Sequence, residues 1–305
     1  MACRLRIAGP RRVAAVVAAA LCCVPGPSLA DSILSPAGPV AAGDRIILLD
    51  AAVIMLAIVV PTMLATLAFA WWFRASNSRA THRPNWSYSG RLELLVWSIP
   101  TLVVFFLGGV IWIGSHRLDP FTPLPSATRP LDIDVVALDW KWLFIYPQQG
   151  VASINRLIVP AHVPLRFRIT SASVFNDFFI PRLGSQIYAM NGMTTRLNLM
   201  ADKPGRYLGL SAQFSGDGFS DMVFDTIAEP QAQFAQWVAR ARAEGPVLDR
   251  TAYRALLRQS RNVVPYTYRS VESGLFEAVA SRALPGGEGP RKGRGGTGII
   301  PSGGT

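Results

Sequence analysis

Apolar residues change their spacing several times along this chain, and each change predicts a different kind of structure. Residues 13–24, VAAVVAAALCCV, form a short apolar run preceded by Arg4, Arg6, Arg11 and Arg12 and followed by small residues at Ser28 and Ala30. The run is too short to cross a hydrocarbon core of about 30 Å with ease, and its basic front and small-residue end are those of a secretory leader. Cleavage after Ala30 is expected, with an uncleaved anchor as the alternative. Residues 46–73 and 92–114 are longer and almost wholly apolar, so each is expected to span a bilayer as a helix. Pro61 is expected to kink the first. Trp71, Trp72 and Trp112 lie near the ends of the spans, at the depth where indoles favour the membrane interface.

The connection between the spans, residues 74–91, carries Arg74, Arg79, Arg83 and Arg91 and no acid. Short basic loops stay on the cytoplasmic side, so the spans form a hairpin with residues 31–44 and everything after 115 outside. A cleaved leader would deliver the new N-terminus to the same side, and the two signals agree. From residue 131 the apolar period drops to two, in LDIDVVALDW, LRFRIT and TRLNLM, with PQQG, HVP and KPG between the runs as turns. That predicts an all-β domain over 130–229, a sandwich or barrel. Beyond Glu229-Pro230 the spacing of QAQFAQWVARARAEG and DRTAYRALLRQS is helical, so 230–283 is expected to be a helical, aromatic-rich extension. Residues 284–305 are rich in Gly and Pro around the run RKGR, too poor in apolar residues to offset ordering, and are expected to be disordered.

Composition sharpens this picture in two places. The net charge is +11, but the leader's four arginines account for part of it and residues 31–305 carry +7, dispersed along the chain. No basic patch interleaved with aromatics points to nucleic acid. All three cysteines, Cys3, Cys22 and Cys23, lie in the leader, so a chain beginning at Asp31 has no thiol for a disulfide or a soft metal. A lipoprotein cut before Cys22 or Cys23 is the alternative. Leu21 is bulky for that cut, and an unlipidated N-terminus at Asp31 is expected.

Three segments carry a resemblance: SNSRATHRPNWSYSGRLELLVWSIP, LDWKWLFIYPQQGVASIN and FNDFFIPRLGSQIYAMNGMTTRL. With two spans and an external β domain, they resemble subunit II of the haem-copper terminal oxidases, in particular that of the cytochrome bo-type ubiquinol oxidases. The similarity covers about residues 33–280. It implies a cupredoxin-like fold for 130–229 and a multi-pass protein of the bacterial inner membrane, with its N-terminus and β domain in the periplasm. It implies partners: a haem-bearing subunit I, smaller membrane subunits III and IV, and membrane lipid.

In the cytochrome c oxidase branch of that family the β domain holds two coppers through a loop C-x-E-x-C-G-x-x-H-x-x-M and a histidine on an earlier strand. Bridging thiolates suit soft copper, and imidazole and a weak thioether complete its geometry. The matching loop here is LSAQFSGDGFSDM, residues 210–222. Ser211 and Ser215 stand at the thiolate positions, Gln213 at the carboxylate, Phe219 at the imidazole and Asn176 at the earlier histidine; only Gly216 and Met222 match. The resemblance therefore implies no metal and no cofactor on this chain. Electrons would come from ubiquinol bound to subunit I rather than from cytochrome c, with the haems and one copper on that partner, in a proton-pumping enzyme that reduces oxygen to water. The catalytic centres would lie on partners, and this chain would act in structure and assembly. The competing readings are a cytochrome c oxidase subunit II with an altered metal site and a membrane-tethered periplasmic binding or copper-chaperone module. The scattered Met190, Met193, Met200 and Met222 give the last no cluster to work with.

Other residues invite chemistry. Glu93, at the cytoplasmic start of the second span, is a candidate proton-entry acid by the resemblance; the plainer account is a first-turn glutamate favoured by the helix dipole after a Ser89 cap. Asp50 is expected to snorkel or pair with Arg45. His82, His116 and His162 are far apart and are expected to be ordinary surface residues. Trp140, Trp142, Phe144 and Tyr146 are expected to pack at the foot of the β domain against the membrane subunit.

Overall fold

The computed structural model describes residues 33–81 and 83–289. The expected leader with its cysteines, His82 and residues 290–305 of the tail lie outside the described residues. Two long helices open the fold, α1 (Pro39–Trp72) and α2 (Gly90–Arg117). Both are long and apolar enough to cross a membrane, and neither apolar stretch is buried within the chain. Their packing as a hairpin relies on a close approach at Gly114, where a Cβ would lie 2.6 Å from the Ile47 side chain.

Helix α1 begins seven residues before the apolar run starts at 46, and takes in residues 39–44 of the segment expected as an external lead-in. Pro39 is suited to the first turn, where its missing N–H costs nothing. That turn is seated on the β domain: Ala37, Val40 and Ala41 are buried, the Ala37 N–H donates to Arg182 O at 2.7 Å, and Ala41 N–H donates to Leu183 O at 3.2 Å. Asp44 accepts from Ser185 Oγ at 2.9 Å. A Cβ at Gly38 would run into Met200 O, so only glycine fits the junction. The hairpin and the β domain are thus joined by contacts as well as by covalent continuity.

Ten strands follow: β1 (Leu131–Leu138), β2 (Lys141–Tyr146), β3 (Val151–Ile154), β4 (Arg156–Pro160), β5 (Leu165–Ser171), β6 (Asn176–Phe179), β7 (Ile187–Ala189), β8 (Thr195–Leu199), β9 (Gly205–Ser211) and β10 (Val223–Glu229). The extension adds α3 (Gln231–Ala243), β11 (Val247–Leu248), α4 (Arg250–Leu256), β12 (Tyr266–Tyr268), β13 (Ser270–Val271) and α5 (Leu275–Ala280). One sheet has the order β12-β3-β2-β1-β5-β8 and the facing sheet β4-β10-β9-β6-β7. β1 runs parallel to β5, and β4 parallel to β10, inside otherwise antiparallel pairings. The architecture is two transmembrane-type helices, a cupredoxin-like β-sandwich and short C-terminal helices.

Inward side chains of the two sheets meet in an aromatic core. Trp142 touches Phe178 and Phe224 edge-on, with ring centres at 5.4 and 5.6 Å, and Phe178 stacks on Phe224 at 5.3 Å. Trp142, Phe144 and Tyr146 therefore face the interior of the sandwich, not a membrane subunit at its foot. Trp142, Phe144 and Tyr146 are fully buried inside the sandwich because strand alternation sends them all to the same inner face. The intervening Lys141, Leu143 and Ile145 point the other way.

That second face explains a further departure. The extension is not simply helical: β12 adds an edge strand to the first sheet by pairing with β3, and β11 pairs with β13. Leu248, Tyr253, Leu256, Tyr268, Leu275, Phe276 and Val279 then cover Val136, Leu138, Leu143 and Ile145 on the outer side of the first sheet. β1 and β2 are buried on both faces for this reason. The expected disorder from 284 also begins too early. Leu284 is buried, Gly287 N–H donates to Ala172 O at 2.8 Å, and Gly289 N–H donates to an Asp139 carboxylate oxygen at 3.1 Å.

Candidate functional site

The loop 210–222 closes the end of the sandwich opposite the junction with α1. β9 ends at Ser211, the chain turns through Gly216 at φ +111°, and a 3-10 turn, Phe219–Asp221, delivers Met222 to the start of β10. The Ser211 N–H donates to Met222 O at 3.0 Å, which draws the two ends of the loop together. Beneath it lies the tight β1–β2 turn. Trp140 there takes φ +62°, its indole N–H donates to Ser215 O at 3.3 Å, and the ring lies so close to Gly218 that a Cβ would strike it. A left-handed conformation at a bulky residue persists only where its surroundings hold it, and here the loop itself does so.

Four of the predicted positions are brought together inside this closure. Asn176, Ser211, Ser215 and Met222 are all buried. Ser211 Oγ lies 3.5 Å from Asn176 Oδ1 and donates to Gln213 O at 3.3 Å, and Ser215 Oγ lies 3.8 Å from Met222 Sδ. Asn176 Nδ2 donates to Val174 O at 3.0 Å. The other two positions are not drawn in: Gln213 is exposed, and Phe219 is half-buried against Phe214, ring centres 5.6 Å apart. The donor set is two hydroxyls, one amide and one thioether. Hydroxyl and amide oxygens are hard, weak ligands for copper, and a lone thioether is a poor one, so this set does not fit a copper pair. Chemically, the arrangement ties strand, loop and turn together through hydrogen bonds.

Glu93 lies apart from this cluster, exposed in the first turn of α2. Its N–H donates to Ser89 O at 3.0 Å, but the Ser89 side chain makes no capping bond, so the expected cap is a backbone one only. Asp50 is exposed and forms no ion pair with Arg45 among the described residues; Asp44, six residues earlier, is the acid that finds a partner. His116 Nδ1–H donates to Trp112 O at 2.8 Å, and His162 sits in a turn at φ +61°.

Three polar residues escaped the reading of the sequence. Lys141 is buried, and its ammonium donates to Arg258 O at 2.8 Å and Ser260 Oγ at 2.5 Å, clamping the extension to the first sheet. Burial pulls it down to about 8, against a weaker upward pull from Asp139. Asp139 takes hydrogen bonds from Ser173 Oγ and from the tail. Asp177, beside Asn176, is 1% exposed, and its Oδ1 has no hydrogen-bond partner among the described residues. Loss of hydration pushes it up to about 6. The signal that could have found it is a single acid inside the apolar run FNDFFIP.

Comparison with known proteins bears on the same segments. Residues 132–227 match the family described as cytochrome C oxidase subunit II, periplasmic domain, and residues 242–283 match the COX aromatic rich motif. The chain is similar to the ubiquinol oxidase subunit 2 of Acetobacter aceti, 46% identical over 82% of each chain. It is similar to the cytochrome bo(3) ubiquinol oxidase subunit 2 of Pseudomonas aeruginosa, 44% identical over 82% of this chain and 76% of that one. Among solved structures, the periplasmic domain of subunit II of cytochrome oxidase (CoxB) of Bradyrhizobium japonicum is 25% identical, covering 39% of this chain and 96% of that one, with a TM-score of 0.36.

Proposed function

The chain belongs to the ubiquinol oxidase subunit 2 family, and from that premise we propose that it is the metal-free subunit II of a proton-pumping enzyme that oxidises ubiquinol and reduces oxygen to water. Membership already makes it a membrane-anchored subunit of an oxidoreductase complex and a partner of other oxidase subunits. The observation that carries the rest is the loop 210–222. A subunit II that accepts electrons from cytochrome c needs two thiolates, and here the two positions are buried hydroxyls at Ser211 and Ser215, engaged with Gln213 O and Met222 Sδ. Without an electron entry port on this chain, electrons enter from ubiquinol on subunit I, where the haems and the one copper reside. This chain's own residues hold the assembly together: α1 and α2 pack in the inner membrane beside subunits I, III and IV, and the β domain covers the periplasmic side.

The topology follows from the basic loop 74–91, which keeps the turn of the hairpin in the cytoplasm and leaves the processed N-terminus and β domain in the periplasm. Purification of the native complex tests the function. The expected preparation contains this chain with a haem-bearing polytopic subunit, consumes oxygen with ubiquinol, ignores reduced cytochrome c, and lacks the near-infrared band of a copper pair. Turnover with cytochrome c, or that band, would overturn the reading.

Glu93 adds a finer role. An acid in the first turn of α2, on the cytoplasmic side by this topology, is placed to collect protons for a channel into subunit I. Glu93→Gln is expected to slow the reductive, proton-loading phase of turnover by about tenfold or more, the scale of a lost proton-transfer group. An unchanged rate in a normally assembled complex would leave the residue as a helix-start glutamate.

A further inference from the structure

The two sheets of the sandwich are treated differently by the chain. The outer side of the first is covered by the C-terminal extension, whereas the outer side of the second is open over β9, β6 and β7. Strand alternation puts Leu208 and Leu210 of β9, Val223 of β10 and Phe179 of β6 on this open side. The pairings Val223↔Leu210 and Phe179↔Leu210 make them neighbours. Leu208 is 37% exposed and Val223 45%. Beside them Phe175 and Tyr188, 39% and 47% exposed, hold their ring centres 4.6 Å apart.

Asp177 sits in this surface. It pairs in register with Tyr188, so the two side chains share the outer face. Its carboxylate is covered and its Oδ1 finds no partner among the described residues, an arrangement that costs free energy. Arg206 of β9 does not relieve it, because it is bound to Asp225 by two hydrogen bonds of 2.7 and 2.6 Å. A buried carboxylate with an open valence, rimmed by two aromatic rings and set in an aliphatic surface, is complementary to a lysine or arginine. Such a side chain would meet the carboxylate and the ring faces together, in a water-poor setting where a few contacts dominate association.

We propose that the outer face of β9, β6 and β7 is an interface with another subunit of the oxidase, and that a lysine or arginine of that subunit binds Asp177. This rests on the function proposed above, which supplies the complex. The test is photocrosslinking in the oxidase purified from membranes, with a benzophenone amino acid placed at Tyr188 or at Val223. An adduct with a different protein subunit is expected from both positions. Asp177→Lys is expected to lower recovery of the chain in the complex by about tenfold or more, since it sets like charges together across a desolvated contact. Asp177→Asn keeps the shape and removes the unpaired charge, so its chain is expected to melt no lower than wild type while its crosslinking yield falls several-fold. Adducts with lipid or with a second copy of this chain would overturn the proposal, as would no adduct in a preparation that contains the haem subunit, or wild-type recovery and crosslinking by both Asp177 variants. A wild-type preparation that lacks the haem subunit would overturn the proposed function and this interface with it.

Discussion

Replacing Trp142 with alanine is expected to cost about 3–5 kcal/mol of stability, the range for removing a large aromatic from a packed core. Domains of this size have about 5–15 kcal/mol in total, so the variant should be largely lost from membranes or recovered with a strongly lowered unfolding midpoint. The reason is geometric. Trp142 is fully buried between the sheets and touches Phe178 and Phe224, which in turn contact Phe144, so its removal leaves a cavity lined by rings that cannot all move in. Trp142→Phe separates packing from hydrogen bonding. The indole Nε1 is buried without a partner among the described residues, so no hydrogen bond is lost, and a cost of roughly 1–2 kcal/mol is expected from the smaller ring alone. Denaturant unfolding of the full-length chain in detergent measures both. Equal costs for alanine and phenylalanine would show that the sheets collapse around the vacancy and that the aromatic cluster does not set the core.

The same tryptophan shows where reading the sequence succeeds and where it stops. Alternation in LDIDVVALDWKWLFIY announces strands, and the structure has them as β1 and β2. Alternation alone does not say what lies on either face, and an aromatic face can cover a partner as readily as fill a sandwich. Here it fills the sandwich, because the extension supplies a second cover on the opposite side, where Lys141 reaches Arg258 O and Ser260. That cover was illegible for a physical reason: β12 is three residues long and depends on pairing with β3, so no local periodicity marks it. The junction was hidden likewise. Residues 39–45 have no long apolar run of their own, and they are helical because Ala37, Val40 and Ala41 are buried against the segment 182–185. Long apolar runs, in contrast, carry their own signal, and both helices were visible at once.

At the loop, the positions were legible through the resemblance to a copper-binding loop, and the structure adds which of them converge. Asn176, Ser211, Ser215 and Met222 are packed together, while Gln213 stays in solvent and Phe219 leans on Phe214. Asp177 matches no position of that loop and carries only a faint signal, a lone acid in the run FNDFFIP; its burial and its lack of a partner among the described residues are properties of the folded sheet.

Asn176→His, Ser211→Cys, Gln213→Glu, Ser215→Cys and Phe219→His, made together, are expected to turn the closure into a copper centre. Exchanging hydroxyl oxygen for sulfur at 211 and 215 changes volume little and supplies two thiolates at buried positions, one already beside the Met222 thioether. The loop need not be rebuilt, because its framework is independent of the ligands: Gly216 makes the turn, Ser211 N–H reaches Met222 O, and the indole of Trp140 supports Ser215 O. The demanding substitution is Phe219→His, whose ring must leave Phe214 and turn inward from the 3-10 turn. Metal that binds the folded chain and not the unfolded one raises the midpoint by mass action. The full-length fivefold variant is therefore expected to bind a copper pair, show a near-infrared charge-transfer band, and melt higher with copper than without, whereas the wild-type chain shows none of these. The Ser211→Cys, Ser215→Cys pair alone lacks the imidazoles and is expected to hold copper at least about tenfold more weakly, the scale by which loss of groups around a metal lowers affinity. A fivefold variant that melts cooperatively yet takes up no copper would mean that this loop shares the length of a copper loop without its geometry.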